Sequence, residues 1–308
     1  MNIDQLKGLI PNSNSWLKSE EITFGWSGEQ KYIIWTQENN KFLLRILTND
    51  QFEKQLQGIE FLEHCGEIVS NVPRVLSKGK TTKREFSYLL LDYIEGDDGM
   101  QEIERLNVSD QYELGYKMGN TICQIHNIST PKILPTNNQA YIQKVKMYLD
   151  FYTQNKSQFS FLSSVEDNVN NLLAIISTRP MIMLHNDFHL GNMVIGENTI
   201  SLIDFNRACL GDNIREFDCI AWTATHSIQF AVGLFDAYLQ GKEIDSFFRI
   251  WRGYLSIWQI QMLYFIQDQD EEEKRIVLDL IKFSESWFEG NSNIPNWYLK
   301  NSKLLNKQ

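Results

Sequence analysis

The chain has 308 residues, 43% of them hydrophobic, which is enough for a substantial core and long for one average domain, so two lobes are expected. Its formal net charge of −10 argues against a general nucleic-acid binder, which would carry a basic patch, and is compatible with a cationic small-molecule partner. No run approaches the ~18 apolar residues of a membrane span, no basic and apolar leader opens the sequence, and Cys65, Cys123, Cys209 and Cys219 form no Cys-x-x-Cys pair, so a cytoplasmic protein with reduced thiols is expected.

The first ninety residues read as strand-rich. Glu21-Ile22-Thr23-Phe24, Lys31-Tyr32-Ile33-Ile34-Trp35 and Lys41-Phe42-Leu43-Leu44-Arg45-Ile46 are β-type runs, separated by Gly25-Trp26-Ser27-Gly28 and Glu38-Asn39-Asn40. From Asp50 to Cys65, Phe52, Leu56, Ile59 and Leu62 recur at helical spacing, and Gly66 is expected to close that helix. Val72 to Leu76 and Glu85 to Tyr93 read as two further strands. The polar, Gly-containing stretch Ile94-Glu95-Gly96-Asp97-Asp98-Gly99 marks the expected boundary. It divides an N-terminal lobe, residues 1–95, from a C-terminal lobe, residues 96–308.

Beyond the boundary the pattern turns helical. Asp110 and Glu113 look like a capping pair, followed by one apolar stripe, Leu114, Met118, Ile122 and Ile125, ending at His126. Residues 138–156 and 165–177 are also expected to be helical. Between them and the last helices lies a short β segment. Met181-Ile182-Met183-Leu184 reads as a buried strand, and Met193–Ile195 and Thr199–Ile203 as a hairpin around Gly196-Glu197-Asn198. From Arg215 to about Glu289 the chain reads as amphipathic helices. Most of the eight Trp, twelve Tyr and eighteen Phe are expected in the core.

The chemistry concentrates in His185-Asn186-Asp187-Phe188-His189-Leu190-Gly191-Asn192, followed by Asp204 at the end of the hairpin. Phosphoryl transfer needs positioning and charge neutralisation more than covalent chemistry. Asp187, on a loop after a buried strand, can orient an attacking hydroxyl or accept its proton. Asn192 can coordinate Mg²⁺ through its amide oxygen, and Asp204 offers an anionic oxygen to the same hard cation. His185 and His189 have i, i+4 spacing, but Gly191 and the flanking strands argue against the helix that a zinc pair would need. His185 is expected to brace the loop, and His189 to fix it or to touch substrate. His64, His126 and His226 carry no pattern.

This block, with Ile203-Asp204-Phe205, resembles the signature of the aminoglycoside phosphotransferase and choline kinase-like family. Asp187 to Asn192 also has the Asp-to-Asn spacing of the protein-kinase catalytic loop. Phe24-Gly25-Trp26-Ser27-Gly28-Glu29 sits where that family has its nucleotide loop, Asn71–Val75 looks like its strand entering the hinge, and Leu89–Gly96 looks like the hinge. The resemblance implies an α+β, two-lobed protein kinase-like fold, with a small antiparallel β-sheet lobe, residues 1–95, that binds nucleotide, and a larger, mainly helical lobe, residues 96–308, that is catalytic and binds the acceptor. It implies Asp187 as catalytic base and Asn192 and Asp204 as Mg²⁺ ligands. Backbone groups around Asp92, Tyr93 and Ile94 would meet adenine, and the loop with Phe24, Gly25, Ser27 and Gly28 would cover the phosphates of ATP or GTP.

Two positions depart from the family pattern. Asn186 stands where Gly is usual before the catalytic Asp. Arg45 stands where a strand lysine would pair the phosphates; Lys41, four residues back, is roughly 13 Å away at about 3.3 Å per residue. Arg45 is expected to pair with a Glu on the following helix, Glu53 first and Glu60 second. Asp212 and Asp218 are read as opening a helix, and the acidic run Asp268–Glu273 as a solvated turn. The resemblance points first to an aminoglycoside-type antibiotic as the hydroxyl acceptor. A metabolite kinase of the choline, homoserine or methylthioribose type is the alternative, and a nucleotide-binding pseudokinase the alternative from another class. The expected state is a monomer or homodimer, with no nucleic-acid or membrane partner.

Overall fold

A computed structural model describes residues 6–23, 29–81, 86–128, 139–290 and 292–307. Strands β1 (Trp16–Ile22), β2 (Gln30–Thr36) and β3 (Lys41–Leu47) lead into helix α1 (Asn49–Ile68), and β4 (Val75–Lys80) and β5 (Ser87–Asp92) follow. The five strands form one antiparallel sheet in the order β1-β2-β3-β5-β4. Side chains alternate across it. Tyr32, Ile34, Leu44, Ile46, Tyr88 and Leu90 form a cluster with Leu6, Ile10 and Trp16. Leu47, Leu89 and Leu91 belong to the main core with Phe52, Ile59 and Leu62 of α1. With both faces covered, β5 reads as an unbroken apolar run.

A capping box starts α1: Thr48 Oγ1 accepts the Gln51 N–H, and Gln51 Oε1 accepts the Thr48 N–H. The helix does not stop at Gly66, as expected from sequence, but runs through it to Ile68. A Cβ there would lie 3.0 Å from both Arg74 Cα and Pro73 O. Gly66 is thus set by the close passage of the chain entering β4, not by helix termination.

After β5 the mainly helical part of the chain opens with β6 (Asp97–Asp98), α2 (Gly99–Ile103), α3 (Val108–Asn127), α4 (Gln139–Asn155) and α5 (Val165–Ile175). Then come β7 (Ile182–Leu184), β8 (Met193–Gly196), β9 (Thr199–Leu202) and β10 (Cys209–Gly211). The helices α6 (Ile220–His226), α7 (Ile228–Tyr238), α8 (Ile244–Phe265), α9 (Glu271–Glu285) and α10 (Asn296–Asn301) complete it. The cap of α3 is Asn107, whose side chain accepts the Asp110 N–H, so the helix starts earlier than the Asp110–Glu113 pair suggested. The β8–β9 hairpin forms as expected, with β6 added to its edge, and β10 pairs with β7.

Helices α3 and α7 pack backbone against backbone. A Cβ on Gly115 would lie 2.1 Å from Phe230 O, and one on Gly233 would lie 2.1 Å from Tyr112 O. Beside this crossing the aromatics pool in the core, where Phe217, Phe235, Phe248, Trp251 and Tyr298 are buried and in edge or tilted contact. Trp251, Tyr254 and Trp258 are core residues, as expected for most of the aromatics. All four cysteines are free. Among the described residues no helix is long and apolar enough to cross a membrane.

Candidate active site

Strand β7 delivers the chain to His185, which is fully buried. Its Nε2–H donates to Ile203 O at 2.8 Å, and its ring meets Phe205 edge-on at 4.6 Å. His185 thus ties the loop after β7 to the end of the hairpin. Asn186 has φ +62°, the left-handed region that Gly enters freely and Asn tolerates best among other residues. The departure from Gly at this position keeps the backbone shape. Asn186 Oδ1 also accepts from Arg215. The N–H groups of His185 and Asn186 both donate to the buried carboxylate of Glu216, at 2.9 and 2.8 Å, and His126 Nε2 lies 3.1 Å from the same carboxylate. Burial disfavours the Glu216 charge, yet the His126 hydrogen bond and the other donors outweigh it and hold the carboxyl below its ordinary range. His126 and Glu216 showed no pattern in the sequence; their residues lie 90 positions apart.

This bracing presents Asp187. Asn192 Nδ2 donates to Asp187 O at 2.8 Å and to its Oδ2 at 2.9 Å. Asp187 Oδ1 faces Arg207 Nη1 at 3.3 Å and His189 Nε2 at 3.7 Å. His189 Nδ1 accepts the Gly191 N–H, and burial lowers the pKa of the ring despite the pull of Asp187, so it is neutral. His189 therefore fixes the turn and flanks the carboxylate. Among the described residues no set of three His, Cys, Asp or Glu could hold a metal.

The backbone joins Asn192 to the hairpin end, with the Ile203 N–H donating to Asn192 O at 2.9 Å. Asp204 follows, at φ +64°. With the Asn192 amide nitrogen committed to Asp187, its amide oxygen is the atom left for a cation. Asp204 Oδ1 is buried with no hydrogen-bond partner, and Oδ2 pairs with Lys31 Nζ at 3.3 Å. Burial opposes the Asp204 charge, but Lys31, Arg45 and His185 together keep its carboxyl below the usual range. An orphaned buried carboxylate oxygen, one residue past the backbone bond to Asn192, suits a hard cation that takes its remaining ligands from phosphate and water.

The sheet side of the cleft differs from expectation. Arg45 is 4% exposed. Its Nε and Nη2 both donate to Glu29 Oε2, at 2.9 and 2.6 Å, and Nη2 also reaches Gln55 Oε1 at 2.9 Å. Gln55 Nε2 closes the ring on Glu29 Oε1 at 2.7 Å. The expected partner, Glu53, instead pairs with Lys80, and Glu60 is exposed. The α1 surface turned toward Arg45 carries Gln55, so the carboxylate comes from the start of β2. Lys41 pairs with Glu95 at 2.6 Å. Lys31 is the residue that sequence reasoning missed; it stood inside an apolar β run, and register pairs it directly with Arg45.

Phe24, Gly25, Ser27 and Gly28 lie outside the described residues. Asp92 ends β5 with its carboxylate held by Arg74, through the N–H at 2.5 Å and Nε at 3.0 Å, which fixes the end of the strand just before Tyr93 and Ile94. Asp212 is structural: its carboxylate takes Arg179 and the Tyr254 hydroxyl. Asp218 is half-buried. Burial pushes its carboxyl up to about 7 against the pull of Arg215, with Glu216 and Asp187 adding to the rise. The acidic run opens α9, where Asp270 caps and Glu271 and Glu272 pair with Lys274 and Arg275.

A carboxylate presented by a braced loop, an amide and a second carboxylate on the adjoining hairpin, and a cation-bearing sheet above them define a two-lobed, protein kinase-like phosphotransferase. The model of the phosphotransferase enzyme family matches residues 18–248, and the chain belongs to that family. No curated protein matches the chain. Among solved structures it is similar to aminoglycoside phosphotransferase APH(4)-Ia, at 13% identity and TM-score 0.65, over 93% of this chain and 98% of that one. The streptomycin–ATP complex of APH(2")-IIa matches at 16% identity and TM-score 0.60, over 90% and 94%. The GDP complex of wild-type aminoglycoside 2'-phosphotransferase-IIIa matches at 15% and 0.61, over 88% and 93%. At these identities the likeness carries the fold.

Proposed function

We propose that this protein transfers the γ-phosphate of ATP or GTP to a hydroxyl of a small molecule, and that the acceptor is an aminoglycoside-type antibiotic. The observation that carries the reaction is the convergence of Asp187, Asn192 and Asp204, with Asp204 Oδ1 buried and unpartnered. Asp187 receives the acceptor hydroxyl, orients it toward the phosphate and takes up its proton. The Asn192 amide keeps the Asp187 carboxylate from rotating. Asn192 and Asp204 would hold Mg²⁺, which supplies charge neutralisation on the nucleotide phosphates. The turn from Asp92 through Tyr93 to Ile94 would offer its backbone to the base, and the loop with Phe24, Gly25, Ser27 and Gly28 would close over the phosphates.

An amino-sugar acceptor is supported by the aminoglycosides bound in similar structures and by the net charge of −10. A coupled nucleotide-turnover screen across aminoglycosides, choline, homoserine and methylthioribose tests the assignment. Turnover confined to aminoglycosides is expected. Turnover with one of the other acceptors alone would move the protein to the metabolite kinases, and nucleotide binding with no turnover on any acceptor would leave a pseudokinase.

A further inference from the structure

In the expected arrangement one strand cation serves two purposes, contacting the phosphates and pairing with a helix carboxylate. Here the two purposes are separated. Arg45 is buried, and its Nε and Nη2 are both spent on Glu29 and Gln55. That ring ties the start of β2 to α1, so it is a structural clamp. On β2, Lys31 stands opposite it in register and so on the same face. The Lys31 side chain is 17% exposed, and its ammonium lies 3.3 Å from Asp204 Oδ2. It is thus a partly accessible cation placed against the carboxylate where the phosphates and their cation would converge.

We propose that Lys31, one strand away from the expected position, is the residue that binds the phosphates of the nucleoside triphosphate, and that Arg45 holds the fold of the small lobe. This rests on the kinase reading above. In the free protein the Lys31 ammonium neutralises Asp204. When nucleotide enters, the ammonium exchanges this carboxylate for phosphate oxygens, and Asp204 becomes available to a divalent cation. A lysine suits this exchange, because its flexible stem and point charge swing between partners, whereas Arg45 is held by Glu29 Oε2 through two nitrogens and by Gln55.

Calorimetric binding of ATP, GTP and the matching nucleosides to the full chain, in chelator so that no metal contributes, tests the assignment. The wild type is expected to prefer triphosphate over nucleoside. Lys31→Met should lower triphosphate affinity by about tenfold or more while leaving nucleoside affinity unchanged. Part of that loss could come from exposing the Asp204 charge, so the same substitution is repeated in an Asp204→Asn background. Direct contact predicts that the loss persists there; its disappearance overturns the proposal. The paired variant Glu29→Gln/Arg45→Gln should retain the triphosphate preference while its unfolding temperature falls. Loss of the preference in that folded variant would assign the phosphates to Arg45 instead. A Lys31→Met chain that binds triphosphate like wild type overturns the Lys31 assignment alone. A wild-type chain that binds no triphosphate overturns the kinase reading with it.

Discussion

The N–H of Asn186 donates to Glu216 Oε1 at 2.8 Å, one residue before Asp187. The same carboxylate takes the His185 N–H and sits against His126 on α3, so a single buried side chain joins the loop that carries Asp187 to the helical core. Glu216→Ala leaves two buried N–H groups and a histidine without their acceptor, and should cost about 3–5 kcal/mol in denaturant unfolding. The folded Glu216 carboxyl lies below its ordinary value of 4.5. Its contribution is therefore fully present above pH 4.5 and is lost as the pH falls through the lower folded value. Acid unfolding curves of wild type and Glu216→Gln should converge at the acid end. Parallel curves would show that the charge contributes nothing.

Asp218 has the opposite sign. Its folded carboxyl titrates near 7, above its ordinary 3.8, so the folded state holds a proton that the unfolded state has released. Between those values stability falls as pH rises. Asp218→Asn removes this penalty and should raise the unfolding temperature at pH 8 by about 2 °C or more, with a smaller gain at pH 5. An equal gain at both pH values would count against the raised carboxyl.

Asp187→Asn keeps the shape of the loop and removes the proton acceptor. Turnover should fall by roughly 10²–10⁴-fold, with nucleotide affinity nearly unchanged. Steady-state rates together with calorimetric nucleotide binding check both halves, and a variant that keeps wild-type turnover would remove Asp187 from the role of base.

Chelation of divalent cations should abolish phosphoryl transfer, and added Mg²⁺ should restore it. Asp204→Asn should demand a higher Mg²⁺ concentration for half-maximal rate, since an amide offers no charge to the cation. A metal titration of the rate reads this directly, and an unshifted titration would separate Asp204 from the metal.

The crossing of α3 and α7 predicts two positions, Gly115 and Gly233, that do not tolerate a single methyl. Gly233→Ala would place its Cβ 2.1 Å from Tyr112 O, a backbone atom that cannot turn aside. The helices must separate, at a cost of about 1–3 kcal/mol or more. Thermal unfolding of this variant should show the loss, whereas Gly241→Ala, with nothing within 4 Å but at φ +69°, should lose stability through backbone strain alone.

The sequence by itself determined the order of the elements and the placing of Asp187, Asn192 and Asp204 around one hairpin. The three are close along the chain, so spacing and turn residues were enough to expect them near one another. The strand, strand, strand, helix, strand, strand order of the small lobe followed from periodicity for the same local reason. Tertiary structure alone decided the rest. Glu216 and His126 meet across 90 positions, Lys31 reaches Asp204 across 173, and Arg45 takes Glu29 instead of Glu53 because of strand register and the face of α1 turned toward it. Contacts of that kind depend on how elements dock, which hydrophobic burial settles without regard to sequence distance. Gly66 makes the same point: the breaker signal was local, but the close passage of Pro73 and Arg74 is what requires glycine there.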